Sequence, residues 1–90
     1  MKRAIITVVG KDTVGIIASI CTYLAEEKIN ILDISQTIID GYFNMMMITD
    51  VSGAEKAIAE ISEDLDRVGE KLGVVIHCQL EDIFTKMHRI

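Results

Sequence analysis

Cysteine, aromatic residues and positive charge are all scarce in this sequence, and each scarcity excludes a class of protein. Two cysteines without a C-x-x-C pair exclude a disulfide framework and a zinc knuckle, and predict free thiols in a cytoplasmic protein. Aromatics make up 4% of the residues and the net charge is −5, so we expect no nucleic-acid partner. No apolar run approaches the roughly 18 residues of a membrane helix, which predicts no membrane partner.

The chain does have enough apolar material to build one core. Ninety residues predict a single domain over residues 1–90, and half of them are hydrophobic. A domain of this size buries only about 60 to 65% of the surface of its extended chain. Since a single thin core must carry the stability, we expect a homodimer or another homo-oligomer.

The beginning of the chain predicts a strand followed by a helix. Residues 3–9 are mostly β-branched and end at a glycine, which indicates a strand. Apolar residues then recur at intervals of three and four, which predicts a helix capped by Asp12 or Thr13 and ending near Lys28.

The middle of the chain predicts a β-hairpin. Asp40-Gly41 stands between two apolar runs and suits a two-residue turn with positive φ at both positions. The resulting register pairs Ile38 with Phe43. It places six apolar side chains together on the core face, namely Leu32, Ile34, Ile38, Phe43, Met45 and Met47. The opposite face is part polar and part apolar, with Met46 and Ile48 at its apolar end.

The end of the chain predicts a second helix, a last strand and a tail. Ser52 and Glu55 fit a capping box, so we expect a helix to start there and to end at Gly73. Alternation over residues 74–80 indicates the fourth strand, and Asp82 is expected to cap a short C-terminal helix.

This order of elements predicts the fold class. The sequence β-α-β-β-α-β is the α+β, ferredoxin-like sandwich. Right-handed crossovers place two helices on one face of an antiparallel sheet with strand order 4-1-3-2.

The side chains offer little for catalysis or metal binding. Both cysteines fall on apolar stripes, where burial raises the pKa of a thiol and packing is its ordinary role. His77 falls on the outer sheet face and His88 on the tail, without a carboxylate fixed beside either. Neighbouring acids such as Glu63 and Asp64 point in different directions. We therefore expect no catalytic residue, no metal and no cofactor.

The turn from Gly10 to Gly15 has more polar features than the fold requires. Glycines allow close backbone approach, and a helix start presents free amides with partial positive charge. With Lys11 and Asp12 offering one charge of each sign, the turn suits a zwitterion such as an amino acid. From these residues alone a purely structural role is favoured over a ligand role: Gly10 closes the strand, Asp12 caps the helix and Gly15 permits close packing.

Several segments together resemble the ACT domain family. The run IITVVGKDTVGII over residues 5–17 is similar to the ACT opening, a strand followed by G-x-D-x-x-G and an aliphatic pair. Asn30-Ile31 matches the asparagine-aliphatic pair at the start of the second ACT strand. The segments DISQT (residues 33–37) and YFNMM (residues 42–46) resemble the small stand-alone ACT proteins called UPF0237 and, more distantly, the glycine cleavage repressor-type regulators.

The resemblance implies allosteric regulation by a bound small molecule. ACT domains typically bind effectors, often amino acids, between paired domains, using the first loop of one copy and a strand edge of another. Carried over by position, this implies a ligand site made by Gly10, Lys11, Asp12, Gly15, Asn30 and Ile31. Many members have proline where this chain has Val14, which leaves the effector preference open. Without an attached output domain in the sequence, a separate protein partner is expected.

Two other functions compete with amino-acid sensing. One is a ligand-independent interaction module that uses Met46, Ile48 and the acidic face of the second helix. The other is an acylphosphatase-like hydrolase, which needs an arginine and an asparagine at a phosphate-cradling first loop. Here only Lys11 lies in that loop and Arg3 precedes it on the first strand.

Overall fold

A computed structural model describes residues 2–11 and 14–82 of the chain. The element order is the predicted one, strand-helix-strand-strand-helix-strand. The elements are β1 (Arg3–Lys11), α1 (Ile16–Glu26), β2 (Asn30–Ile39), β3 (Tyr42–Asp50), α2 (Ile58–Leu72) and β4 (Val74–Leu80). The predicted C-terminal helix after Asp82 lies outside the described residues.

The four strands form one antiparallel sheet in the order β2-β3-β1-β4. This is the predicted 4-1-3-2 order counted from the other edge, so the ferredoxin-like fold class is confirmed. In the register between β1 and β3, Arg3 lies opposite Asp50 and Lys11 lies opposite Tyr42. The loop after β1 therefore leaves the sheet at the same end as the turn between β2 and β3.

The β2–β3 hairpin has the predicted turn and register. Asp40 and Gly41 both have positive φ, at 50° and 82°, as a type I′ turn requires. Ile38 pairs with Phe43, as predicted. Near the start of β2 the register shifts at a bulge between Ile31 and Asp33.

Side chains alternate between two faces of the sheet. The core face carries the even-numbered residues of β1 and β4 and the odd-numbered residues of β3, and both helices pack on it. Its largest fully buried side chains are Ile6, Val8, Met45, Met47 and Ile76 from the strands, Ile16, Ile20 and Leu24 from α1, and Ile61 and Leu65 from α2. The outer face carries the odd-numbered residues of β1, β4 and, from Asp33 on, β2, and the even-numbered residues of β3.

The predicted burial of the β2 side chains is wrong. Leu32, Ile34 and Ile38 are 42%, 43% and 58% exposed. The fully buried strand residues come from β1, β3 and β4, because β2 is an edge strand that the helices do not cover. Phe43, Met45 and Met47 on β3 are buried as predicted. One strand of the hairpin, β3, therefore lies in the core, and the other, β2, lies at its exposed edge.

The predicted start of α2 is also wrong. The helix is capped at Ala57 rather than at Ser52, and the Glu60 carboxylate accepts the Ala57 N–H at 3.4 Å. The Ser52 hydroxyl instead accepts the backbone N–H of Lys2 at 2.8 Å. Ser52 therefore ties the end of β3 to the residue before β1, and the capping box expected from Ser52 and Glu55 does not form. The helix ends at Gly73, as predicted.

Candidate functional site

The candidate site begins where β1 ends and α1 starts. Lys11 is the last residue of β1 and is exposed, and Val14 in the loop is fully exposed. Ile17, in the first turn of α1, is 38% exposed. Asp12, to which the sequence assigns a ligand role, lies outside the described residues, as does Thr13. The described part of the loop is thus open to solvent and flanked by aliphatic side chains.

The two loop glycines have different physical roles. Gly10 pairs with Val74 of β4, and a Cβ at Gly10 would lie 2.7 Å from the Val74 Cγ1. Close packing of β1 on β4 is therefore enough to explain this glycine. Gly15 has φ 92° at the N-cap of α1, and a Cβ there would meet nothing within 4 Å. Its backbone needs glycine for conformation, and the space in front of it is open.

The first backbone amides of α1 have no partner within the helix. The first intrahelical bond runs from the Ser19 N–H to the Gly15 carbonyl at 2.9 Å, so the amides of Ile16 and Ile17 precede it. Among the described residues no side chain caps this helix, and its first turn carries no acidic residue. The partial positive charge at the helix start is uncompensated by these residues, which suits a carboxylate.

Asn30 and Ile31 lie at the other end of the sheet. Asn30 pairs with Asp50, which in turn lies opposite Arg3, the first residue of β1. The eight residue steps of β1 separate that end from Lys11, a distance of roughly 26 Å. A single chain therefore brings Gly10, Lys11 and Gly15 together and keeps Asn30 and Ile31 apart from them.

The cysteines and the described histidine have the environments that the sequence predicts. Cys78 is buried on the core face, and burial raises its pKa to about 11, so its thiolate is suppressed at neutral pH. Cys21 is half-buried on α1, and His77 is exposed on the outer face. Within residues 2–11 and 14–82, no three potential metal ligands gather in one place.

A polar cluster between the helices was not predicted from the sequence. Asp64 of α2 accepts hydrogen bonds from the Tyr23 hydroxyl of α1 at 2.7 Å and from the Lys56 ammonium at 2.6 Å, and it also pairs with Arg67. The sequence favours Glu63 as the partner of Arg67, at a spacing of four. The structure uses the spacing of three instead, because Asp64 is held beside α1.

Two clefts lie away from the loop. A groove of about 460 Å³ runs between the helices beside Tyr23, Val68 and Leu72. A cleft of about 610 Å³ lies at the far end of β1, lined by Lys2, Arg3, Ser52, Leu80, Glu81 and Asp82. In it, the Arg3 guanidinium pairs with Glu81 at 3.2 Å, so opposite charges already meet there. Neither cleft includes a predicted site residue.

The fold and this open loop define the class of the protein, a ferredoxin-like α+β module in which no described side chain caps the helix that follows the first strand. The family model of the ACT domain matches residues 2–79. A UPF0237 protein of Bifidobacterium longum is 62% identical over 90 residues, which is all of both chains. The chain belongs to the ACT domain family, in its UPF0237 group.

Solved structures agree with this assignment. An ACT domain protein from Streptococcus pneumoniae is 41% identical and superimposes with a TM-score of 0.81 over 92% of this chain and 93% of its own. A putative glycine cleavage system transcriptional repressor shares the fold, with 20% identity and a TM-score of 0.74 over 88% of this chain and 45% of its own. No helix among the described residues is long and apolar enough to cross a membrane.

Proposed function

We propose that the protein is a non-enzymatic regulatory module that binds an amino acid between copies of a homo-oligomer and signals through a separate protein partner. The observation that carries this proposal is the start of α1, where no described side chain caps the helix, the space in front of Gly15 is open, and β1 ends at the exposed Lys11 four residues earlier. Amides and Lys11 suit the carboxylate of an amino acid. By its place in the family motif, Asp12 is the partner for the ammonium group.

The separation of Asn30 from Lys11 supports a site that two copies share. If the β2 edges of two copies pair antiparallel, Asn30 of the second copy lies beside Ile39 of the first. Ile39 pairs with Tyr42, which lies opposite Lys11, so the two parts of the predicted site come to the same end of the joined sheet. The second copy then supplies the Asn30 and Ile31 wall.

The composition of β2 favours such pairing. Monomeric proteins protect edge strands with lysine, proline or short length. This strand is ten residues long, contains neither lysine nor proline, and has Asp33 as its one charge. The exposed side chains of Ile34 and Ile38 are apolar. A second copy would satisfy the free backbone groups and cover these side chains.

The regulatory mechanism follows from the shared site. An effector held by the loop of one copy and the β2 edge of another binds the paired arrangement better than the separated one. It therefore shifts the population toward that arrangement by its differential affinity.

The test is a calorimetric titration of the protein with each of the twenty amino acids. We expect binding heat with at least one of them, and a loss of affinity of tenfold or more in Lys11→Ala and in Asp12→Ala. Lys2→Ala is the matched control, because it removes the same charge just before the opposite end of β1. Absence of heat with all twenty amino acids contradicts the effector proposal.

A mixing experiment tests whether two copies share the site. Lys11→Ala and Asn30→Ala each damage every site when they are present alone. In a mixed pair, one site carries both changes and the other carries neither. We expect a mixture of the two variants to recover tight binding in a fraction of the sites. No recovery after subunit exchange contradicts a shared site.

A ligand-independent interaction module is the second candidate. The observation that favours it is the exposure of Met46, 42% exposed in the middle of the outer face, together with the acids along α2. A pull-down from lysate whose captured protein is insensitive to added amino acids supports this function over the first.

The hydrolase alternative loses support from the geometry. Arg3 lies at the end of β1 away from the loop and pairs with Glu81. It is therefore not placed to cradle a phosphate beside Lys11.

A further inference from the structure

The groove between α1 and α2 combines an apolar wall with a row of short side chains. Val68 and Leu72 of α2 are half-buried and form the wall. The α1 side of the groove carries Ala18, Ser19 and Thr22, all exposed. Since the distance between packed helices depends on the side chains at their contact, short side chains let a further helix approach closely.

The two helices run in opposite directions along this groove. The first helix starts at the loop end of the sheet and leads to Asn30 at the other end. The second helix returns and ends beside Val74, which pairs with Gly10 at the loop end. The hydrogen bond from the Tyr23 hydroxyl to Asp64 therefore fixes how far each helix is displaced along the other.

The groove carries one cation and one carboxylate, and they lie at opposite ends. Lys71 is seven residues beyond Asp64 on α2, and Glu26 is three residues beyond Tyr23 on α1. With a rise of about 1.5 Å per residue and opposite helix directions, the two charges stand roughly 15 Å apart along the groove. Both side chains are exposed, and in the described part of the chain neither of them makes an ion pair.

The other charges between the helices are already paired. Lys56 contacts both Asp64 and Glu27, and Arg67 contacts Asp64. These pairs join the helices to each other. The two unpaired charges at the ends of the groove are therefore the ones that a partner meets.

An amphipathic helix matches both the shape and the charges of the groove. Residues eleven positions apart in a helix lie on the same face, about 16 Å from each other, which is close to the separation of the two unpaired charges. An apolar helix face that packs in a groove is a common mode of peptide recognition, and complementary charges then fix its position.

From these observations we infer that the groove between α1 and α2 binds an amphipathic helix of the protein partner. The apolar face of that helix covers Val68 and Leu72. One of its carboxylates lies beside Lys71, and a cation three helical turns away lies beside Glu26. The inference rests on the proposed function for the existence of a separate partner. Because the groove begins at Ala18, the third residue of α1, the partner docks within about one turn of the proposed effector site.

Synthetic helical peptides test the inference by fluorescence anisotropy. All are eighteen residues long, share one face of leucine and alanine, and have glutamine elsewhere except at two charged positions eleven residues apart. The mixed peptide carries one lysine and one glutamate and is made in both orders, and the two control peptides carry two lysines or two glutamates. We expect the wild-type protein to bind one order of the mixed peptide at least tenfold more tightly than either control peptide.

Charge reversal in the protein tests where the peptide binds. We expect Lys71→Glu to bind the two-lysine peptide most tightly, and Glu26→Lys to bind the two-glutamate peptide most tightly. Glu70→Lys makes the same charge change as Glu26→Lys on an exposed side chain outside the groove. It is the matched control and keeps the wild-type preference for the mixed peptide.

Two results overturn the inference. One is the absence of binding of both orders of the mixed peptide at about 100 μM wild-type protein. The other is an unchanged peptide preference in Lys71→Glu and Glu26→Lys, each shown to be folded by circular dichroism. Amino-acid binding is measured separately by calorimetry on the wild-type protein, so a failure of the groove is distinguished from a failure of the effector site.

Discussion

Asp64 is the residue that joins the two helices. Its carboxylate accepts hydrogen bonds from the Lys56 ammonium and the Tyr23 hydroxyl, and these hydrogen bonds lower the pKa of Asp64 from 3.8 to about 2. Burial and the same hydrogen bond raise the pKa of Tyr23, so the phenol stays protonated as a donor. One acid on a charged helix face thereby holds α1 against α2.

Replacing Asp64 with asparagine tests this role. Asp64→Asn removes the charged acceptor, and we expect it to lower the free energy of unfolding by about 1 kcal/mol, a modest value because the cluster lies near solvent. A carboxyl whose pKa is lowered by folding stabilises the protein above its unfolded pKa, and this contribution is lost as the pH falls from 3.8 toward 2. Urea denaturation at neutral and acidic pH measures both effects.

The control for that measurement is Asp66→Asn, two residues along the same helix on an exposed side chain. It should leave the neutral-pH stability nearly unchanged. Equal losses in the two variants would show that helix charge, rather than the contact with Tyr23, accounts for the effect.

We expect Gly10 to matter more for the packing of β1 against β4 than for ligand binding. The Cβ of Gly10→Ala would lie 2.9 Å from the Val74 Cα, so β1 and β4 must move apart. We expect a loss of about 1–3 kcal/mol of stability, the usual cost of overpacking. Denaturation of Gly10→Ala beside Val9→Ala, an exposed neighbour, measures this, and an unchanged denaturation midpoint in Gly10→Ala would refute it.

Among the elements, those fixed by local chemistry were predictable and those fixed by neighbours were not. Asp40-Gly41 sets the hairpin register because the turn and its two strands are adjacent in the chain. The alternation of β2 cannot show that the helices leave this strand uncovered. Ser52 has the right spacing for a cap, yet a residue fifty positions away uses its hydroxyl.

The same limit applies to the candidate site. Gly15 was identifiable as a glycine before the helix, but the close packing expected of it is absent among the described residues, and its positive φ is the reason for glycine there. The separation of Lys11 from Asn30 follows from strand order and direction, which the order of all the elements predicts but the spacing within the family motif does not. The role of Asp64 could not be predicted for the same reason, since its hydrogen-bond donor Tyr23 lies on another helix.

The β2 edge gives a prediction at the level of one element. Ile34→Lys places a cation on the exposed apolar side of the strand, where lysine protects edges in monomeric proteins. We expect the variant to lose the β2 contact and to bind the effector more weakly, while its monomer stability stays within about 0.5 kcal/mol of wild type. Analytical ultracentrifugation and calorimetry on the same samples measure the two quantities, and an unchanged sedimentation coefficient would contradict the prediction.

The whole molecule has a small core and large exposed apolar areas on one face and one edge. Its stability should therefore depend on association. Anything that binds the folded chain but not the unfolded chain raises the melting temperature by mass action, and a second copy is such a ligand. We expect the melting temperature to rise with protein concentration across about two decades. Differential scanning fluorimetry detects this, and a constant melting temperature would argue for a monomer.

The placement of Lys11 and Asn30 at opposite ends of one sheet has a consequence for the cell. In the proposed function, a single chain carries two separate parts of the effector site. The fraction of sites that hold effector therefore depends on the concentration of the protein as well as on the concentration of the metabolite. Halving the expression of the protein would then lower its regulatory response to the metabolite by more than half. In a strain with a weakened promoter, the threshold of that response would become less sharp, and the response would not simply fall in proportion to expression.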